Sequence, residues 1–251
     1  MSINKSALRT IGVLELLSKC RELTLTEISE SLQMPLASTS DIVKALLDTQ
    51  MVEYANKRAK TYKLGVTNYL LGNAYLARLN IVEIAAPFME ELADQTKYVV
   101  FLAKLTDNEI LYLHKASPIA NARFVSTCQV GHKARISTTS LGKTIMAYNE
   151  WLQDKVLSEP LPQITENSIT DPSVLRKELE EIRINSYSRD NFENDERITC
   201  VGFPIFDQRG RVDHSLSISG YFSEDRDMEK EIELGKICSQ NISLRMGFVG
   251  L

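Results

Sequence analysis

Residues 23–65, LTLTEISESLQMPLASTSDIVKALLDTQMVEYANKRAKTYKLG, decide how the N-terminal part of the chain is read. Thr24 and Glu27 stand at capping-box spacing: the threonine oxygen accepts from one free amide of a helix start, and the glutamate turns back to another. The short helix that follows carries Ile28 and Leu32. Gln33-Met34-Pro35 breaks it, and a new helix puts Ile42, Val43, Leu46 and Leu47 on a buried face with Asp41 and Lys44 outside. Met51 to Ala55 reads as a strand, Asn56 to Lys60 (NKRAK) as a basic turn, and Thr61 to Leu64 as the return strand closed by Gly65. Upstream, Ser6 reads as an N-cap, and Ala7, Leu8, Ile11, Leu14 and Leu17 keep helical spacing as far as Cys20. Three helices and a basic hairpin make a winged helix-turn-helix pattern.

In such a unit the second helix of the motif enters the major groove of DNA, and its first turns face base edges and phosphates. Ser38, Thr39 and Ser40 occupy those turns. Hydroxyls at a helix N-terminus suit phosphate oxygens, and small side chains let the helix approach closely. The plainer alternative is that one of them caps the helix and the others are solvated. Lys44 lies farther along the same helix, and the wing cations Lys57, Arg58 and Lys60 are candidates for the sugar-phosphate backbone or the minor groove.

The composition, 43% hydrophobic and 25% charged over 251 residues, is that of a globular protein with room for one large or two ordinary domains. No run approaches the roughly 20 apolar residues of a membrane helix, and the N-terminus lacks a signal-peptide pattern, so the cytoplasm is the expected compartment. Cys20, Cys128, Cys200 and Cys238 form no CxxC, and the histidines at 114, 132 and 214 are scattered. Free thiols and no metal or cofactor are therefore expected. Net charge is -4, yet residues 1–66 hold nine Lys/Arg against seven Asp/Glu, a small basic excess on an acidic whole.

Beyond the hairpin, 66–78 and 81–93 are apolar at helical spacing, with Pro87 marking a kink or a fresh first turn. Strands are expected over 98–104, 110–115, 123–127, 201–206 and 214–219, and helices over 141–151 and 174–184. Asp171-Pro172 opens the latter helix as an N-cap followed by proline. The expected class is α+β, with a DNA-binding domain at 1–66, a linker helix at 67–79 and a second domain at 80–251. Ser217 and Ser219 alternate with Leu216 and Ile218, so a strand puts both hydroxyls on one face, where a carboxylate fits; a merely solvated face is the alternative.

The run 23–65, with its closing Tyr-Lys-Leu-Gly, resembles the winged-helix domain of the IclR family of bacterial transcription regulators. The likeness continues through SLGKTIMAY (140–148), ITDPSVLRKELEEIR (169–183) and TCVGFPIFDQRGRVDHSLSISG (199–220). It departs at Leu36 and Asp41, where family members usually carry Lys and Arg. The resemblance implies a GAF-like effector-binding domain over 80–251, a dimer or dimer of dimers, and a palindromic operator. It also implies a ligand site at Asp190, Cys200, Ser217 and Ser219 with the stretch Arg135, Ile136 to Leu141 and Gly142. Arg135 stands where the family usually has Pro, either reading an acidic effector or serving as an ordinary surface arginine. Ser186 replaces a usual Gly, which puts the local backbone in doubt.

The resulting expectation is a ligand-responsive regulator, a repressor, that binds operator DNA and senses a small organic or sugar acid, with 66–78 coupling the two domains. The alternatives are a metabolite-binding module whose helical N-terminus meets protein partners, and a thiol enzyme using Cys200 with His214. The apolar strand after Cys200 speaks against the second, because apolar burial raises a thiol pKa.

Overall fold

The computed structural model describes residues 4–76 and 79–250. It separates into two compact units, Met1–Arg78 and Leu79–Leu251. In the first unit α1 (Lys5–Lys19), β1 (Leu23–Thr24), α2 (Leu25–Ser31) and α3 (Leu36–Asp48) precede a hairpin of β2 (Val52–Asn56) and β3 (Thr61–Leu64). The strands form an antiparallel sheet in the order β1-β3-β2. Val13, Leu17, Ile28, Val43, Leu46, Val52 and Tyr62 converge into its core, one stripe from each element.

Local signals account for most boundaries. Thr24 and Glu27 form the full capping box at α2, and Thr24 holds the Glu27 carboxyl below its ordinary range by hydrogen bonding. At α1 the cap is Asn4, not Ser6: its Oδ1 accepts from the amides of Ser6 and Ala7. Next comes α4 (Val66–Leu76). The expected linker helix thus begins within it, while residues 77 and 78 lie outside the described residues.

The second unit opens with α5 (Ile81–Thr96), one helix that contains Pro87 instead of restarting there. Then follow β4 (Val99–Thr106), β5 (Glu109–Ala116), β6 (Lys133–Arg135), α6 (Ser140–Ala147), α7 (Glu150–Leu157) and α8 (Pro172–Asn185). β7 (Ser188–Asn191), β8 (Ile198–Ile205), β9 (His214–Tyr221) and α9 (Met228–Arg245) complete it. Asp171 caps α8 with Pro172 at the first turn, and Ser186 ends that helix in the left-handed region at φ 58. The segment 123–127 is not a strand, and the helix expected over 141–151 is two, because Asn149 caps a new start through the Leu152 amide.

Six strands form one antiparallel sheet in the order β6-β5-β4-β9-β8-β7. Neighbouring residues of β8 reveal its two faces. Gly202 lies so close to α6 that a Cβ there would sit 2.7 Å from the Ser140 carbonyl oxygen, while the Phe203 ring packs on Gly235 of α9. Alternation along β9 then turns Ser215, Ser217 and Ser219 towards the α6 face, and Ser215 Oγ donates to the Leu141 carbonyl.

Candidate functional site

The hydroxyl cluster of α3 is divided by helical geometry. Successive side chains are about 100° apart, so three in a row cannot share a face. Thr39 points into the core, fully buried, and its Oγ1 donates to the Pro35 carbonyl at 3.1 Å. That removes Thr39 from the expected DNA contacts. Ser38 and Ser40 are half-buried on the flanks, and Lys44 is exposed. No side chain caps this helix, so the capping role weighed for the serines is absent, and the first amides lack intrahelical partners.

At the hairpin, Asn56 Oδ1 accepts from the amides of Arg58 and Ala59 at 2.9 and 3.1 Å. This side-chain-to-backbone turn fixes the tip, with Lys60 left-handed at φ 50. Lys57, Arg58 and Lys60 are all exposed. None of the three forms an ion pair among the described residues, although Lys63 pairs with Glu53 on the strands behind them. The tip is a free cationic surface. Sequence reading placed Asn56 in the turn but not its part in closing it, although an Asx residue opening a turn is a readable signal.

On the α6 face of the large sheet, cross-strand register assembles a cavity of about 100 Å³. Asp190 lies opposite Cys200, and Cys200 opposite Ser219, so three adjacent strands contribute one row. Ser217, opposite Phe101, belongs to the next row. Leu141, Asp190, Cys200, Ser217 and Ser219 all line the cavity. Ser217 and Ser219 are buried with their oxygens 3.4 Å apart, so their face is not merely solvated. Phe101 and Tyr112, edge to face at 5.1 Å, form an aromatic wall that sequence alone could not place.

Three expected residues fall outside. Arg135 is exposed on β6, the outermost strand, in register with Glu109; only its carbonyl takes part, accepting from Thr139. Ile136 is buried in the core and does not line the cavity. Gly142 is a packing glycine: a Cβ would stand 2.2 Å from the Ile136 carbonyl oxygen, so its absence lets α6 rest on that backbone.

Thr139 caps α6 through the Gly142 amide and sits at the cavity with Ser140 and Leu141. The first amides of this helix therefore present positive dipole ends there. Asp190 accepts from the Glu193 and Asn194 amides at 2.8 and 3.3 Å. Burial above all, and the Glu193 charge after it, push its carboxyl up to about 7, against those bonds and the pull of Lys143. Behind it Lys143, wholly buried, gives 2.5 and 2.6 Å bonds to Glu193 and Glu178. No lysine or arginine is among the described residues lining the cavity.

Cys200 and His214 do not form a catalytic pair. Cys200 is opposite Ser219, whereas His214 is opposite Ile205. Five residues of strand separate the two positions, about 17 Å. Burial pushes the thiol up and the imidazole down.

The model described as "Bacterial transcriptional regulator IclR C-terminal" matches residues 73–244, more than half the chain, and "IclR helix-turn-helix domain" matches 6–55. The chain is similar to the HTH-type transcriptional regulator KdgR of Escherichia coli, 29% identical over 97% of this chain and 93% of that one. It is 26% identical to the HTH-type transcriptional repressor AllR of Klebsiella pneumoniae over 95% of this chain and 89% of that one. The crystal structure of the Agobacterium tumefaciens repressor BlcR shares the fold at TM-score 0.85 and 21% identity, covering 98% of both chains. With both family models matched in order along it, the chain belongs to the IclR family of bacterial transcription regulators.

Proposed function

We propose that this regulator is a cytoplasmic repressor whose first unit holds operator DNA through α3 and the wing, and whose second unit senses a small carboxylic acid. The cavity of Ser217, Ser219, the α6 N-terminus and Asp190 is the observation that carries the ligand reading. Hydroxyls and helix amides suit a carboxylate without a cation. Asp190, near 7, is neutral in a large fraction of molecules at neutral pH and donates to a ligand oxygen that an ionised carboxylate would repel.

Size narrows the class. An apolar cavity of about 150 Å³ takes benzene, so one of about 100 Å³ fits an acid of three to five carbons with a keto or hydroxyl group. At a ceiling of about 1.5 kcal/mol per non-hydrogen atom, the six to eight such atoms of these acids give at most about 9 to 12 kcal/mol. For the smallest of these acids that ceiling corresponds to a Kd of about 0.3 μM.

Homodimerisation through α4, with a dimer of dimers as the larger form, is supported by Val66, Tyr69, Leu70 and Leu71, each 50–67% exposed on one helix. The same helix is the candidate coupling element, and ligand and operator must then change each other's affinity equally. A thermal-shift screen against short keto and hydroxy acids tests the site. A stabilising acid whose effect disappears in Ser217→Ala with Ser219→Ala supports it, while an unchanged shift in that variant contradicts it. In a mobility-shift salt series, Lys57→Ala, Arg58→Ala and Lys60→Ala each lower the slope of log K against log salt by about one. An unchanged slope would remove the wing from the interface.

A further inference from the structure

Along α3, Ala37, Asp41 and Lys44 project into solvent from successive turns, and Leu36 at the helix start is 51% exposed. Thr39, Val43 and Leu46 occupy the opposite, buried side. Asp41 makes no hydrogen bond or ion pair with any described residue, and neither does the Lys44 side chain. A carboxylate with no partner among the described residues thus stands in the middle of the outer strip of the second motif helix, the one that enters the major groove in a helix-turn-helix.

Against a duplex such a carboxylate meets either phosphates, which repel it, or base edges. Only amino groups on those edges welcome it. Adenine presents its amino group between two acceptors, its own N7 and the O4 of the paired thymine. Cytosine has an acceptor on one side only, the O6 of guanine. Leu36 and Ala37 offer neither donor nor acceptor, and the matching feature in the groove is the thymine methyl group.

We propose that Asp41 is a specificity-determining residue: it accepts a hydrogen bond from a cytosine amino group in the major groove, while Leu36 and Ala37 pack on a neighbouring thymine methyl. The assignment rests on the operator-binding reading and adds base identity to it. Lys44 and the wing supply charge that any sequence can use. Asp41 does the opposite, lowering affinity for every duplex that lacks the correctly placed amino group.

The test is selection of duplexes from a randomised library by the full-length chain at fixed salt, repeated with Asp41→Asn and Leu36→Ala. Both positions are exposed, so both variants keep the fold, which their unfolding midpoints check. The wild-type half-site is expected to contain an invariant C·G pair. Asp41→Asn relaxes that pair or turns it to adenine, weakens the selected site about five- to tenfold, and binds random duplex more tightly. Replacing the thymine by deoxyuridine weakens wild-type binding several-fold and weakens Leu36→Ala, which keeps only the Ala37 contact, by less. An Asp41→Asn chain that selects the wild-type half-site with undiminished discrimination overturns the proposal. Selection of no sequence by the wild type overturns the operator reading itself, and this assignment with it.

Discussion

Lys143 in the second unit has no solvent exposure and holds two glutamates, whereas Lys57, Arg58 and Lys60 on the first unit's hairpin stand in solvent and form no ion pair among the described residues. The same chemical groups therefore do different work. Buried, a lysine charge must be matched at once within the chain, and it fixes the loop from Asp190 to Asn194, whose two ends line the cavity. Exposed and unmatched, it is held in reserve for phosphates. In the proposed function, free charge stands where a polyanion is to be met and is tied down where a small ligand must find fixed geometry.

Substitution breaks this contrast most sharply at Lys143. Lys143→Met leaves Glu193 and Glu178 uncompensated, and the second unit is expected to lose about 3–5 kcal/mol in urea unfolding. Lys57→Ala, the exposed counterpart, changes stability by no more than about 0.5 kcal/mol. Equal effects of the two would refute the contrast.

The buried carboxyl gives the next largest effect. Its folded-state pKa lies near 7, above the ordinary 3.8, so Asp190 holds its proton more tightly folded than unfolded. Its contribution to stability is complete below about pH 4 and is lost as pH rises through about 7, at up to about 1.4 kcal/mol per pH unit. Unfolding of Asp190→Asn followed from pH 5 to 8 should lack that part of the slope. Ser217→Ala is smaller, costing about 1 kcal/mol of ligand binding by calorimetry while operator affinity without ligand is unchanged.

What sequence reading could reach follows the range of the interactions. The winged unit was legible because its signals are local: the Thr24–Glu27 box, the stripe of α3 and the Asn56–Lys60 turn all lie within a few residues of what they organise. The α3 stripe even contained the correction, because Thr39 is one turn before Val43 and shares its buried face. In the second unit, alternation revealed which face of β9 carries hydroxyls. It did not reveal that Asp190, Cys200 and Ser219 form a row, since register between distant strands leaves no local trace. Sequence left Arg135 between an effector contact and an ordinary surface arginine for the same reason; with β6 outermost in the sheet, it stands exposed as the second. The polar strand β7 and the helix α9, with its many charges, carried no periodicity clear enough to be expected.

Ser186 provides a smaller effect than the buried charges. Ser186 adopts a left-handed φ of 58, and its amide bonds the Ile182 carbonyl at 2.8 Å. A left-handed non-glycine residue carries a cost, so Ser186→Gly is expected to raise stability of the second unit by about 0.5–1 kcal/mol in urea unfolding. A loss would mean that the serine side chain offsets that cost.

Operator affinity of the full-length chain, titrated with a short carboxylic acid that binds the cavity, tests the central claim most directly. The account predicts a shift in operator affinity of at least fivefold, mirrored by an equal shift in acid affinity when operator is present, and lost in Ser217→Ala with Ser219→Ala. An acid that saturates the cavity and leaves operator affinity unchanged would contradict it.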